Sequence, residues 1–291
     1  MRKLSTPFIE CLKSGFLSAL TQQVIADTNL DFQIRKNYLN IYFKGSSLLK
    51  LTEKGRGNYE VYIDSKFKGS LEVRDIVDKQ SAQDFLSQIP QLKENIIRNG
   101  KNREREYEQL IIRANNCEKG TNSEYFIVDR QYAVNEARYV YDLVGIFWDR
   151  NSRKKYQVVP LCFMEVKFAI SQDIKNIHNQ LNKYYEAICQ RPKELAREFE
   201  TIFKQKLELG LYDQKNRIEA LKTLRFSEDV EQFQFILFLV DYNPNSIQFD
   251  LDKLLNLPFA KQIRVFSGGF AMWQQNTIPI DGTSGSHWMH S

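Results

Sequence analysis

The sequence predicts an α/β protein: a three-layer domain with a mixed central sheet between helices, preceded by a small α+β lobe. Three observations carry this expectation. The stretches Arg138 to Trp148, Val158 to Phe168 and Phe233 to Val240 are near-continuous apolar runs rich in valine, isoleucine, leucine and phenylalanine, as in strands covered on both faces. A helical pattern at 101–115 precedes those runs and further ones at 172–190 and 192–225 stand between the second and third, which layers helices over a sheet. Upstream, residues 38–64 alternate in polarity and are punctuated by Gly45-Ser46-Ser47 and Gly55-Arg56-Gly57, the pattern of a separate β-rich unit.

Taken in order, Phe8, Leu12, Phe16, Leu20 and Val24 recur at four-residue steps and predict one helix over 7–30. Alternating segments follow at Tyr38 to about Leu51 and Tyr59 to Asp64, then a helix near 81–98. These make an N-terminal lobe over 1–98. A larger domain spans 99–280, with a soft boundary near Gly100 and a helical insertion at 192–225. Its predicted order is a charged helix at 101–115, strands near 124–132, 137–149 and 157–168, a helix near 172–190, a strand at 233–240 and a last strand at Ile263 to Phe266. The polar, glycine- and serine-rich 281–291 is expected to be a frayed, flexible tail.

Composition narrows the class. A chain of 291 residues that is 42% hydrophobic and 26% charged can bury a sizeable core as an ordinary soluble protein. A net charge of +5 favours a polyanionic partner only mildly. Cys11, Cys117, Cys162 and Cys189 show no C-x-x-C pairing, and Cys162 falls in an apolar strand, so a buried thiol in a reducing compartment is expected. His178, His287 and His290 lack zinc-ligand spacing with them. No run approaches transmembrane length, so the expected location is cytoplasmic and no membrane partner is expected. No Walker-type glycine loop occurs, and an ATP-driven motor would have to be another chain.

Charge inside two of the apolar runs is the strongest functional signal. Asp142 sits in Tyr141-Asp142-Leu143-Val144-Gly145-Ile146, and Glu165-Val166-Lys167 ends the next run. Glu165 and Lys167 share a strand face with Val159, Leu161 and Phe163. Burying such charges unpaired is expensive, and pairing or a metal offsets the cost. Two carboxylates on neighbouring strands with a lysine beside them can hold a hard divalent cation and activate water. A purely structural ion pair is the competing reading. On the helix at 101–115, Tyr107, Leu110, Ile111 and Ala114 mark the expected buried face, and Glu104 borders it more closely than Glu106 or Glu108.

Asp142 followed by Glu165-Val166-Lys167 resembles the PD-(D/E)XK nuclease superfamily, whose pattern is an acid followed by a short strand ending in (D/E)-x-K; Tyr141 stands where proline is frequent. Gly100-Lys101-Asn102-Arg103-Glu104-Arg105-Glu106 resembles the G-x-x-x-E-R-E helix start of resolvase-like members and points to Glu104, with Glu108 as the alternative. Gln180-Leu181-Asn182-Lys183-Tyr184 resembles the Q-x-x-x-Y signature of RecB-like members, with both residues on one helix face.

The resemblance covers about 100–242 and implies a restriction-endonuclease-like core. It also implies Mg2+, with Mn2+ as a substitute, held by Glu104, Asp142, Glu165 and the carbonyl of Val166. Lys167 would assist the water, Gln180 would bond the phosphate or the lysine, and Tyr184 would stack on a base or hold its helix. The implied partner is nucleic acid, DNA before RNA, in repair, recombination or defence.

Arg98, Lys101, Arg103, Arg105, the Arg153-Lys154-Lys155 turn, Lys175 and Lys183 could neutralise phosphates, with Arg103, Lys175 and Lys183 the leading substrate contacts. The tyrosines and phenylalanines of the lobe (Tyr38, Tyr42, Phe43, Tyr59, Tyr62) are either core or base-stacking groups. The lobe could recognise substrate, dock a partner protein or mediate self-association. The alternative is a catalytically silent nucleic-acid-binding or assembly subunit.

Overall fold

A computed structural model describes residues 1–272 apart from 56, 118–122, 135–138, 152, 154–156, 169–171 and 213–217. In the lobe, α1 (Thr6–Lys13) starts at Ser5, whose hydroxyl accepts the N–H of Phe8, and α2 (Ser18–Ala26) follows after a break. The single helix expected over 7–30 is therefore two. The break falls at Gly15, where any side chain would meet Cys11 Cα at 2.8 Å. Leu30, taken as the helix end, instead opens β1 (Leu30–Ile34). Every residue of β1 is buried, Asp31 and Gln33 included, so no alternation marks it in the sequence.

β2 (Tyr38–Phe43), β3 (Ser46–Gly55) and β4 (Asn58–Tyr62) complete an antiparallel meander in the order β1-β2-β3-β4. The short α3 (Ser65–Lys68) leads to α4 (Lys79–Asn99). Asp78 and Ser81 form a reciprocal capping box at the start of α4, and Phe85, Ile89, Leu92 and Ile96 make its buried stripe.

The larger part is mixed α/β. Its elements are α5 (Arg103–Asn116), β5 (Tyr125–Val134), β6 (Tyr139–Phe147), β7 (Val158–Val159), β8 (Leu161–Phe168), α6 (Ile177–Cys189), α7 (Pro192–Glu208), α8 (Ile218–Thr223), β9 (Arg225–Phe226), β10 (Gln234–Val240), α9 (Leu251–Leu255) and β11 (Ile263–Gly268). The central sheet has the order β11-β10-β8-β6-β5. β8, β10 and β11 run parallel, while β6 is antiparallel to β8 and β5 to β6.

The expected strand over 157–168 is split at Pro160, which has no N–H to give a ladder. Val158 and Val159 pair with β9 in a separate two-stranded ladder, and only Leu161–Phe168 joins the central sheet. Ile112 of α5 packs with Ile127, Leu143, Cys162, Met164 and Val166 in one apolar cluster. Phe163, Phe235 and Leu237 belong to a second cluster that takes in α6 and α7 and continues into the N-terminal lobe. Among the described residues no helix is long and apolar enough to cross a membrane.

Buried charge stitches the lobe to the sheet. Asp129 on β5 is fully buried and pairs with both Arg2 and Arg35. Arg130 pairs with Asp31 at 3.4 Å and Glu108 at 2.8 Å. Lys206 on α7 donates to Gln33 Oε1 at 2.9 Å and to the Val128 carbonyl at 2.7 Å. Each of these groups would be costly alone and is tolerated because it is partnered.

Candidate functional site

The β6–β8 ladder runs from Ile146↔Leu161 to Leu143↔Met164 and stops there. One step further, the carboxylate of Asp142 takes the place of a backbone acceptor: Oδ2 receives the Val166 N–H at 2.9 Å. Its Oδ1 accepts from the amide of Gln131 at 3.1 Å. Continuing the same register sets Asp142 across from Glu165, and the two acids sense one another's charge. Glu165 Oε1 accepts from Lys167 Nζ at 2.6 Å and from Gln180 Nε2 at 2.6 Å. Glu165 Oε2 is buried and has no hydrogen-bond partner among the described residues. The three residues singled out on β6 and β8 thus meet in one place.

Electrostatics follow from this crowding. Burial, and then the Asp142 carboxylate, push Glu165 up to about 8, against the pull of Lys167. Burial also raises Asp142, against the Val166 N–H and Lys167. Lys167 is held above its ordinary value: burial works against its charge, but Glu165, Asp142 and Glu104 together outweigh that. Glu104, half-buried one turn before Glu108, is raised by burial and then by Asp142, and it senses Lys167 and Asp173 as well. It therefore borders the same site from α5.

The buried face of α5 differs from the expected one. Glu108, Gln109, Ile112 and Asn116 are buried, whereas Leu110 is 40% exposed. The apolar periodicity misplaces the face because this helix buries polar groups against specific backbone partners. Gln109 accepts the Gly45 N–H at 2.7 Å and donates to the Asn29 carbonyl at 2.6 Å, and Asn116 exchanges two bonds with the backbone of Ile127. Glu108 is not free either. Arg130 and Gln131 take its two oxygens at 2.8 and 2.9 Å, and burial leaves its carboxyl raised to about 7 even so. Glu106 pairs with Lys44 at 2.8 Å, which leaves Glu104 as the acid of this helix without a hydrogen bond or ion pair among the described residues.

Gln180 donates both to Glu165 and to the hydroxyl of Tyr184, the latter at 2.6 Å. Tyr184 is buried, with its ring 4.3 Å from that of Tyr141 and its hydroxyl donating to the Val140 carbonyl at 2.9 Å. Of its two expected roles, the geometry fits the one that holds the helix and leaves no ring face for a base. Arg103, Lys175 and Lys183 are exposed. Lys44, Lys101 and Arg103 line a recess of about 480 Å³ at the start of α5, with Glu106 as its acid. Lys44 reaches it because Gly45, at φ +73°, lets the β2–β3 turn lie against the α5 backbone, where a Cβ would meet Arg105 at 2.4 Å. Lys154, Lys155, Trp273, His287, His290 and the 281–291 tail lie outside the described residues, as do 137 and 138 at the start of the expected second strand.

Among the described residues no group of three histidine, cysteine or acidic side chains is placed to hold a metal ion, so Glu104 borders the two strand carboxylates without completing a three-acid set. What is offered is two opposed carboxylates, one with an unpartnered oxygen, and the adjoining main chain. This all-oxygen, incomplete donor set suits a hard cation that keeps several of its own waters, and it does not suit zinc. Gln131 and Arg130 were not singled out from the sequence, since neither belongs to a motif. Comparison with protein families, with curated proteins and with solved structures finds no match.

Proposed function

We propose that the chain is a divalent-metal-dependent nuclease with a restriction-endonuclease-like core, hydrolysing phosphodiester bonds of DNA. The observation that carries this reading is Glu165: a buried carboxylate opposite Asp142 and beside Lys167, with Oε2 lacking a hydrogen-bond partner among the described residues. The element order α5-β5-β6-β8-α6-β10 around a mixed sheet supports it. A catalytically silent nucleic-acid-binding subunit gives no reason for keeping that oxygen buried and empty-handed.

Asp142, Glu165 and the Val166 carbonyl would hold Mg2+ or Mn2+, with Glu104 contributing from α5. When bound, the ion supplies Lewis acidity, lowering the pKa of water and polarising a phosphoryl oxygen. Lys167 stays charged beside Glu165. Lys167 would hydrogen-bond the attacking water or the oxygen on which charge develops once Glu165 is engaged by a cation. Gln180 holds Glu165 from α6 and is itself fixed through Tyr184. Lys44, Lys101 and Arg103 give the flanking phosphates a cationic path, and Lys175 and Lys183 do so from the α6 side.

The test is purified protein with Mg2+ or Mn2+ on linear and circular DNA. Cleavage should require the metal and fall by at least about 100-fold in Glu165→Ala and in Lys167→Ala. Cleavage that survives both changes rules the reading out.

A further inference from the structure

We propose that Gln131 is a positioning residue for this site, one whose amide fixes the carboxylate of Asp142. The inference rests on the metal-site reading above and goes beyond its motif residues. Gln131 lies in the middle of β5, yet its φ is +49°, a left-handed conformation that only glycine adopts freely. The β5–β6 ladder pairs Arg130 with Leu143 and Tyr132 with Tyr141, and it skips the step between them, where Gln131 faces Asp142. The kink thus removes a regular ladder step and replaces it with a side-chain contact. From there Nε2 donates to Asp142 Oδ1 at 3.1 Å and to Glu108 Oε1 at 2.9 Å.

A strained backbone that delivers one amide to two acids has a use beyond packing. With Val166 N–H on Oδ2 and Gln131 on Oδ1, both oxygens of Asp142 are tethered and its plane is set. A carboxylate has about four lone-pair sites, so two remain to face a cation. The amide also stands between the two acids, and it keeps Glu108 with Arg130 and away from Asp142. Residues 129 and 130, immediately before it, are the ones clamped by Arg2, Arg35 and Asp31. The N-terminal lobe thereby anchors the strand segment from which Gln131 reaches the site.

The test is calorimetric titration of Mn2+ into the full chain, with thermal midpoints recorded in parallel. Gln131→Gly keeps the left-handed backbone without strain and removes the side chain that carries the amide. It should retain the wild-type midpoint within a few degrees and weaken Mn2+ binding on the order of 10- to 100-fold, the usual effect of removing a group that orients a ligand. Gln131→Asn keeps an amide on the non-glycine residue that best tolerates positive φ and should recover part of that loss. Should the glycine variant fail to fold, Gln131→Met, which keeps an unbranched side chain and lacks the amide, is measured instead: wild-type affinity overturns the proposal, and weakened affinity at a normal midpoint supports it. Wild-type affinity in Gln131→Gly overturns the proposal while leaving the metal site intact. Failure of the wild-type chain to bind Mn2+ overturns the metal site itself, and the role of Gln131 with it.

Discussion

Glu165 is the residue whose chemistry is most exposed to experiment. Its folded pKa of about 8 lies above the ordinary value of 4.5, so the fold favours the neutral acid. That contribution is complete below the unfolded value and is lost as pH rises through the folded one. The metal-free protein should lose thermal stability between about pH 4.5 and 8, and Glu165→Gln should flatten that slope. An unchanged slope in the variant would show that the charge is not confined as described. Glu104 and Glu108 separate by the same logic. Glu104→Gln should weaken metal binding with little change in midpoint, because Glu104 makes no hydrogen bond or ion pair among the described residues. Glu108→Ala strands part of the charge on buried Arg130 and should destabilise by about 3 kcal/mol in chemical denaturation. The reverse pattern would move the functional acid to Glu108.

Helix α5 presents its two faces to different tasks. Its inner face carries Glu108, Gln109 and Asn116 to fixed backbone and side-chain partners, and its first turn carries Arg103 into the basic recess. Lys101→Glu with Arg103→Glu should weaken binding of DNA of any sequence and lower the slope of log affinity against log salt by about 2. A slope that does not change would place the phosphate path elsewhere. Elements differ in how much of their role the sequence shows in advance. Glu165, Lys167 and Asp142 stood out because charge inside a β-type apolar run is rare, and Gln180 and Tyr184 because of their fixed spacing after it. β1 was invisible because Asp31 and Gln33 are buried against Arg130 and Lys206, partners far along the chain, so its polarity does not alternate. Pro160 divided a run that hydrophobicity alone left whole, and Gly15 did the same to the first helix. Gln131 carries no signal in sequence, since its role comes from a backbone angle.

For the molecule as a whole, the boundary expected near residue 100 is crossed by buried ion pairs and by one continuous apolar cluster. Asp129→Ala leaves Arg2 and Arg35 without their acid and should cost about 3–5 kcal/mol. Lobe and sheet should also unfold together in one calorimetric transition, and two separated transitions would show that this seam couples them weakly. The site depends on that framework, because β5, held by the lobe, carries Gln131, while β6, β8, α5 and α6 carry the rest. Its most direct test is a crystal grown with Mn2+ and measured at the manganese absorption edge. The account predicts an anomalous peak within coordination distance of both Asp142 and Glu165, with Lys167 displaced from Glu165. A peak elsewhere, or none at that position while the Lys167–Glu165 pair persists, would contradict it.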